Sequence, residues 1–190
     1  RGSTLGIVGY GRIGTRLAQI ALELGMRVIV NDPYVKVAER EIRTADLGTL
    51  LAEADFVLVL ALATEETENL IGADELRWMR SSAFLINVAR GNLIDEAALE
   101  AALREHRIAG FAMDVGRAPD QMPSPQLAAL PNVIATPHVG GLVPQAIEHQ
   151  ALETAEQAAE IVHGRAPVGA VNADHAVRFL RWAEGLRQSG

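Results

Sequence analysis

The chain has 190 residues, no cysteine and a formal net charge of −7, with 49% hydrophobic and 22% charged residues. That composition is globular rather than disordered, and an acidic chain with scattered basic residues argues against nucleic acid or an anionic membrane as partner. Disulfides, thiolate metal sites and thiol nucleophiles are excluded; no metal is expected, and with no apolar run of spanning length and no signal peptide the protein is expected to be soluble and cytoplasmic.

The first apolar run, Leu5–Gly9, reads as a strand and leads into GIVGYGRIG, residues 6–14, with glycines at 9, 11 and 14. A helix follows, with Ile13, Leu17, Ile20, Ala21 and Leu24 on one face and Gly25 as its stop. Taken alone, such glycines suit any tight turn. Between a strand and an amphipathic helix they suit a dinucleotide: Gly9 for the turn, Gly11 for backbone approach to a pyrophosphate, Gly14 for close packing of helix on strand. The helix N-terminus would offer amides and partial positive charge to that anion. The next strand, Arg27–Asn31, runs into Asp32, whose carboxylate suits the ribose hydroxyls of NAD and repels the 2′-phosphate of NADP. Its other reading is a turn residue before Pro33.

Further buried strands are expected at Asp55–Leu60, Ala83–Val88, Ala109–Asp114 and Asn132–Ala135. A helix over Asp95–Glu105 buries Ala98, Leu99, Ala102 and Leu103. Apolar strands alternating with helices indicate an α/β, Rossmann-type doubly wound parallel sheet covered on both faces, with right-handed crossovers. Gly116–Pro131 reads as a loop. A long helix over Pro144–His163 carries Ile147, Ala151, Thr154, Ala158 and Ile161 on one stripe. Residues 1–165 then form one domain, and 166–190 a linker and short helix containing Val177, Leu180 and Trp182.

Three more segments follow the glycine loop in order: INVARGNLIDEAAL (86–99), IAGFAMDV (108–115) and TPHVGG (136–141). Together, over about residues 5–165, they resemble the NAD-binding domain of the D-isomer-specific 2-hydroxyacid dehydrogenases, relatives of phosphoglycerate, glycerate and formate dehydrogenases. The resemblance implies hydride transfer between NAD and a small 2-hydroxy or 2-oxo acid, in a cleft against a second, substrate-binding domain, and a homodimer built on the cofactor domain. It assigns Arg90 to the substrate carboxylate, which a guanidinium fork suits. It assigns His138 to acid/base work, which an imidazole suits, and Asp114 to the nicotinamide carboxamide. Cofactor contacts are implied at Arg12 and Ile13 in the glycine loop, at Ala61 and Thr67, at Val88, Ala89 and Arg90, and at His138 and Gly140. Each residue has a plainer reading: Arg90 as a surface residue, His138 as a helix-entry residue, Asp114 as a strand-end cap. His106, His149, His163 and His175 lie in helix-like segments and are given no chemistry.

Three departures from the family pattern stand out. The run DVGRAPD is one residue short and has Ala118 where the family places the glutamate that pairs with the histidine; Asp120 is the nearest replacement. Leu60 and Leu62 in LALAT replace a histidine and a proline near the adenine. The first strand begins at residue 5, with no substrate domain before it, so the chain is expected to be an excised domain or a natural truncation that binds cofactor but turns over little. Its last helix is then expected to leave Val177, Leu180 and Trp182 poorly covered. Two other readings remain: a non-catalytic, NAD-dependent regulatory module, and a Rossmann domain for an unrelated ligand.

Overall fold

The computed structural model describes residues 2–170 and 172–188, and divides into one unit up to Gly140 and a second from Gly141. The first unit is a seven-stranded, wholly parallel sheet. Its strands are β1 (Thr4–Val8), β2 (Arg27–Asn31), β3 (Ile42–Thr44), β4 (Phe56–Val59), β5 (Phe84–Asn87), β6 (Gly110–Met113) and β7 (Val133–Ala135). They lie in the order β3-β2-β1-β4-β5-β6-β7, so the winding reverses between β1 and β4. In parallel sheets that reversal opens a crevice at the carboxyl ends of the strands.

All six expected strands are present within a residue or so of their ends. The seventh, β3, was not foreseen: it is three residues of an edge strand, flanked by Glu39, Arg40 and Glu41.

Winding direction decides where the helices lie. From β1 to β2 the chain moves one way and places α1 (Arg12–Glu23) on one side. From β3 onward every crossover moves the other way. Right-handed connections therefore send α2 (Leu47–Glu53), α3 (Ala73–Trp78), α4 (Glu96–Arg104) and the short α5 (Pro125–Ala128) to the opposite side. There they bury the larger core, including Leu50, Val57, Leu76, Leu85, Leu99 and Phe111. A smaller core around α1 holds Leu5, Ile7, Ala18, Val28 and Leu58. On the α1 side of the sheet, the register partners Phe56 and Phe84 stack on one another, and Phe84 is 44% and Ile134 of β7 70% exposed.

The buried face of α1 also differs from the expected one. Ile13, Ile20 and Leu24 are exposed, whereas Gly14, Ala18 and Ala21 are buried with Leu17 half-buried. The small residues win because this helix lies close to β1. Its end is as read: Gly25 takes φ 74°, its N–H donates to the Leu22 carbonyl and that of Met26 to Ala21, a left-handed helix stop. The same stop ends α4, but with His106 at φ 53° in the glycine position rather than inside the helix.

The second unit holds α6 (Pro144–Val162), a 3₁₀ turn (Ala173–His175) and α7 (Val177–Gln188). No residue of α6 is buried, and Ile147 and Ile161 of the expected stripe are exposed. The unit boundary falls after Gly140. In α7 only Ala183 is buried among the side chains described, next to Gly164; Val177, Leu180 and Trp182 are exposed, as expected.

Candidate functional site

The residues singled out in the first unit cluster at the carboxyl ends of the strands. The glycine loop follows β1, Asp32 follows β2, Ala61 follows β4, Val88 to Arg90 follow β5, Asp114 follows β6 and His138 follows β7. Six separate strand ends thus meet along one edge of the sheet.

The three glycines answer to three different constraints. Gly9 has φ 100°, and a Cβ there would lie 2.6 Å from the Ala61 nitrogen, so the turn needs glycine on two counts. A Cβ on Gly14 would lie 2.5 Å from the Gly9 carbonyl oxygen, so the helix can approach the loop only without one. Gly11 meets nothing within 4 Å and has an extended backbone open to any residue. What it keeps clear is space in front of a helix start that has no side-chain cap and no acidic residue in its first turn. First-turn amides of a helix lack intrahelical partners, and an anion is the ligand they suit. A diphosphate fits this cradle. Exposed Ile13 lies at the same helix start.

Asp32 performs the turn role and one more. Its Oδ1 accepts from the Tyr34 and Val35 N–H groups at 2.9 and 3.1 Å, and its Oδ2 from the Tyr10 N–H at 2.7 Å. The carboxylate therefore ties the end of β2 to the glycine loop and keeps acceptor capacity on Oδ2 for a hydroxyl. Tyr34, largely exposed, donates its hydroxyl to Glu66 at 3.0 Å across the same end of the site, which raises the phenol pKa. The Thr67 hydroxyl is already engaged. It donates to the Leu62 carbonyl at 2.6 Å and accepts from the Thr64 N–H at 2.8 Å, so it shapes the LALAT loop and keeps a second acceptor position.

The turn after β5 depends on Asn87, which the sequence reading passed over. Only 1% exposed, it accepts from the Ala89 N–H at 3.1 Å and donates to the Arg90 carbonyl at 2.8 Å. A polar residue ending an apolar strand was the available signal. Arg90 itself is exposed, with one guanidinium N–H on the Ala89 carbonyl at 2.7 Å; its remaining donors face no described partner.

Asp114 is half-buried, and its carboxylate accepts from the Thr136 hydroxyl and the Val139 and Gly140 N–H groups. Burial pushes its pKa up, but those three donors and the nearby His138 charge outweigh it and hold the carboxyl below the usual aspartate range. His138 is half-buried at φ 51°, a conformation that costs a non-glycine residue about 1–2 kcal/mol. Among the described residues no hydrogen bond or ion pair reaches its imidazole. Asp120 is exposed and closes its own turn, Oδ1 accepting from the Met122 N–H at 3.1 Å. The shortened loop is anchored elsewhere. Arg117 donates to the Asn69 side chain and the Ile94 carbonyl, both at 2.8 Å, and pairs with Glu68. Gly116 backs onto Gly91, where a Cβ would fall 2.1 Å from the Gly116 carbonyl carbon. Arg117 gave no sequence signal, because its partners are remote along the chain.

Among the described residues, no cluster of three or more His, Asp or Glu could hold a metal ion, and no helix is long and apolar enough to cross a membrane. Residues 1–140 match the family described as D-isomer specific 2-hydroxyacid dehydrogenase, NAD binding domain. A glyoxylate reductase of Thermococcus litoralis is 40% identical over 177 residues, covering 92% of this chain and 53% of that protein. A D-3-phosphoglycerate dehydrogenase of Synechocystis is 37% identical over 172 residues, covering 89% and 31%. Among solved structures, an NAD-complexed D-isomer specific 2-hydroxyacid dehydrogenase of Lactobacillus delbrueckii ssp. bulgaricus superposes with a TM-score of 0.78 at 33% identity, covering 87% of this chain and 54% of that one. The chain spans about a third to a half of the length of the curated relatives it matches.

Proposed function

Because the chain belongs to the D-isomer specific 2-hydroxyacid dehydrogenases as their NAD-binding domain, we propose that the whole protein exchanges a hydride between NAD(H) and a small D-2-hydroxy or 2-oxo acid. The observation that carries the reading is the meeting, along one sheet edge, of an anion-ready helix start, an arginine fork and a histidine. NAD, when bound, supplies the hydride acceptor or donor. The cradle at Gly9, Gly11, Arg12, Ile13 and Gly14 holds the diphosphate, with Ala61 against the loop. Asp32 accepts from the adenosine ribose. Val88, Ala89 and Gly140 border the nicotinamide end, where Asp114 accepts from the carboxamide.

Arg90 binds and orients the substrate carboxylate by paired charge-assisted hydrogen bonds. His138 takes the proton from the 2-hydroxyl during oxidation and returns it to the 2-oxygen during reduction. Closure against a substrate domain excludes water and supplies the rest of the acid pocket, and α7 packs on that domain through Val177, Leu180 and Trp182. We assign the protein to the cytoplasm and to a homodimer built on the cofactor domain, for which the exposed Phe84 and Ile134 supply apolar surface. The test is steady-state reduction of glyoxylate, pyruvate and hydroxypyruvate with NADH by the full-length protein. Turnover that disappears in Arg90→Ala and His138→Ala supports the reading, and unchanged rates in both variants overturn it.

One observation favours a second reading, a non-catalytic module that reports NAD occupancy: no described carboxylate pairs with the His138 imidazole, and Asp120 faces its own turn. NAD binding without turnover on any of those acids would select it.

A further inference from the structure

Three donors from the segment that carries His138 converge on one carboxylate. Asp114 Oδ1 accepts from the Thr136 hydroxyl at 2.5 Å and from the Val139 N–H at 2.9 Å, and Oδ2 accepts from the Gly140 N–H at 2.8 Å. Between those anchors the His138 N–H donates to the Thr136 carbonyl at 2.9 Å, folding a three-residue turn over Pro137. His138 sits at the left-handed φ of 51°, which persists in a non-glycine residue only where surrounding bonds impose it. The bonds that do so flank it on both sides and end on the same side chain.

We propose that Asp114 is a positioning residue for His138, fixing the backbone turn that presents the imidazole by holding Thr136, Val139 and Gly140 at once. The proposal rests on the reading of His138 as the proton carrier. It accounts for how an imidazole without a carboxylate partner of its own is held: its orientation is set through the main chain. It also separates two tasks on one carboxylate. Of about four acceptor positions, Oδ1 has both taken and Oδ2 one, which leaves Oδ2 a single place for a further donor. A Cβ on residue 140 would stand 2.9 Å from that oxygen, so the glycine there keeps the place accessible. Of the two carboxylate oxygens the Thr136 hydroxyl meets only Oδ1, and its removal loosens the turn without removing the place on Oδ2.

The test uses Thr136→Val, which lacks the hydroxyl, and Thr136→Ser, which keeps it. In the 190-residue chain, amide exchange at Val139 is expected to quicken by about tenfold in Thr136→Val, as for loss of one hydrogen bond to a charged group, and to recover in Thr136→Ser. In the full-length protein, kcat is expected to fall by about tenfold on the same grounds with the KM for NADH unchanged, again recovering with serine. Unchanged exchange at Val139 overturns the proposal, as does a raised KM for NADH with kcat intact, because Asp114 would then act on the cofactor alone. His138→Ala separates the two readings: if that variant keeps full turnover, the assignment of His138 fails and takes the catalytic consequence with it, while the exchange result still decides whether Asp114 holds the turn.

Discussion

Substituting Gly11 by alanine separates cofactor binding from folding, because the structure gives this glycine no steric duty in the protein itself. No heavy atom lies within 4 Å of the added methyl, and the backbone at φ −82°, ψ −161° accepts alanine without strain. Two small effects then oppose each other: lost chain freedom in the unfolded state stabilises by about 0.4–1 kcal/mol, and a poorer helix cap costs a similar amount. The melting temperature is expected to shift by no more than about 2–4 °C. Cofactor affinity behaves differently. The methyl occupies the approach to the amides of the helix start, and weakening even one hydrogen bond to a charged phosphate oxygen costs about 1.5–3 kcal/mol, a loss of roughly 10- to 150-fold in affinity. Gly14→Ala is the contrast, since its methyl meets the Gly9 carbonyl at 2.5 Å and forces α1 away at about 1–3 kcal/mol. Calorimetric titration with NAD, paired with thermal melts in its absence, reads both quantities. Affinity for NAD in Gly11→Ala equal to that of the parent would refute the cradle, and a melt as low as that of Gly14→Ala would refute the open space.

Asp32→Ala is expected to weaken NAD binding by about 10- to 100-fold, as for loss of charged hydrogen bonds to the ribose, and to narrow the preference over NADP; a titration with both nucleotides checks this. His106→Gly relieves a left-handed residue at a helix stop and is expected to stabilise by about 1 kcal/mol, read as a higher melting temperature. Asp46 caps α2 by accepting from the Thr49 N–H at 2.8 Å, and that bond, followed by the Thr49 hydroxyl, lowers its pKa. A lowered folded pKa means the contribution is present above the unfolded value of 3.8 and is lost as pH falls through the lower folded one. Asp46→Ala should therefore melt below the parent at pH 7, with the gap closing under strong acid.

Much of the sheet could be read from the chain because its strands are apolar throughout, and runs such as Val28–Val30 and Val57–Val59 leave little else to be. The edge strand Ile42–Thr44 escaped because one side chain of three is buried. In α1 two faces satisfy the same periodicity, and the choice between isoleucines and alanines depends on how near the Gly9 carbonyl stands to Gly14, a distance only the folded loop defines. The motif residues were legible one at a time. Their mutual bonds were not, since Asp114 meets Thr136 only when β6 and β7 lie side by side, and Arg117 meets Glu68 across the fold.

The sheet order also has a consequence for folding. The groups proposed for the adenosine side emerge first, from β1, β2 and β4, and His138 follows β7 at the far edge of the sheet. Of the six pairings, that of β1 with β4 spans the most chain, Leu5 lying beside Phe56, and pairing across long separations forms slowly, so the crevice between those strands is expected to close after the more local pairings on either side of it. Coenzyme bound across that crevice would favour the state in which the two halves of the sheet are joined.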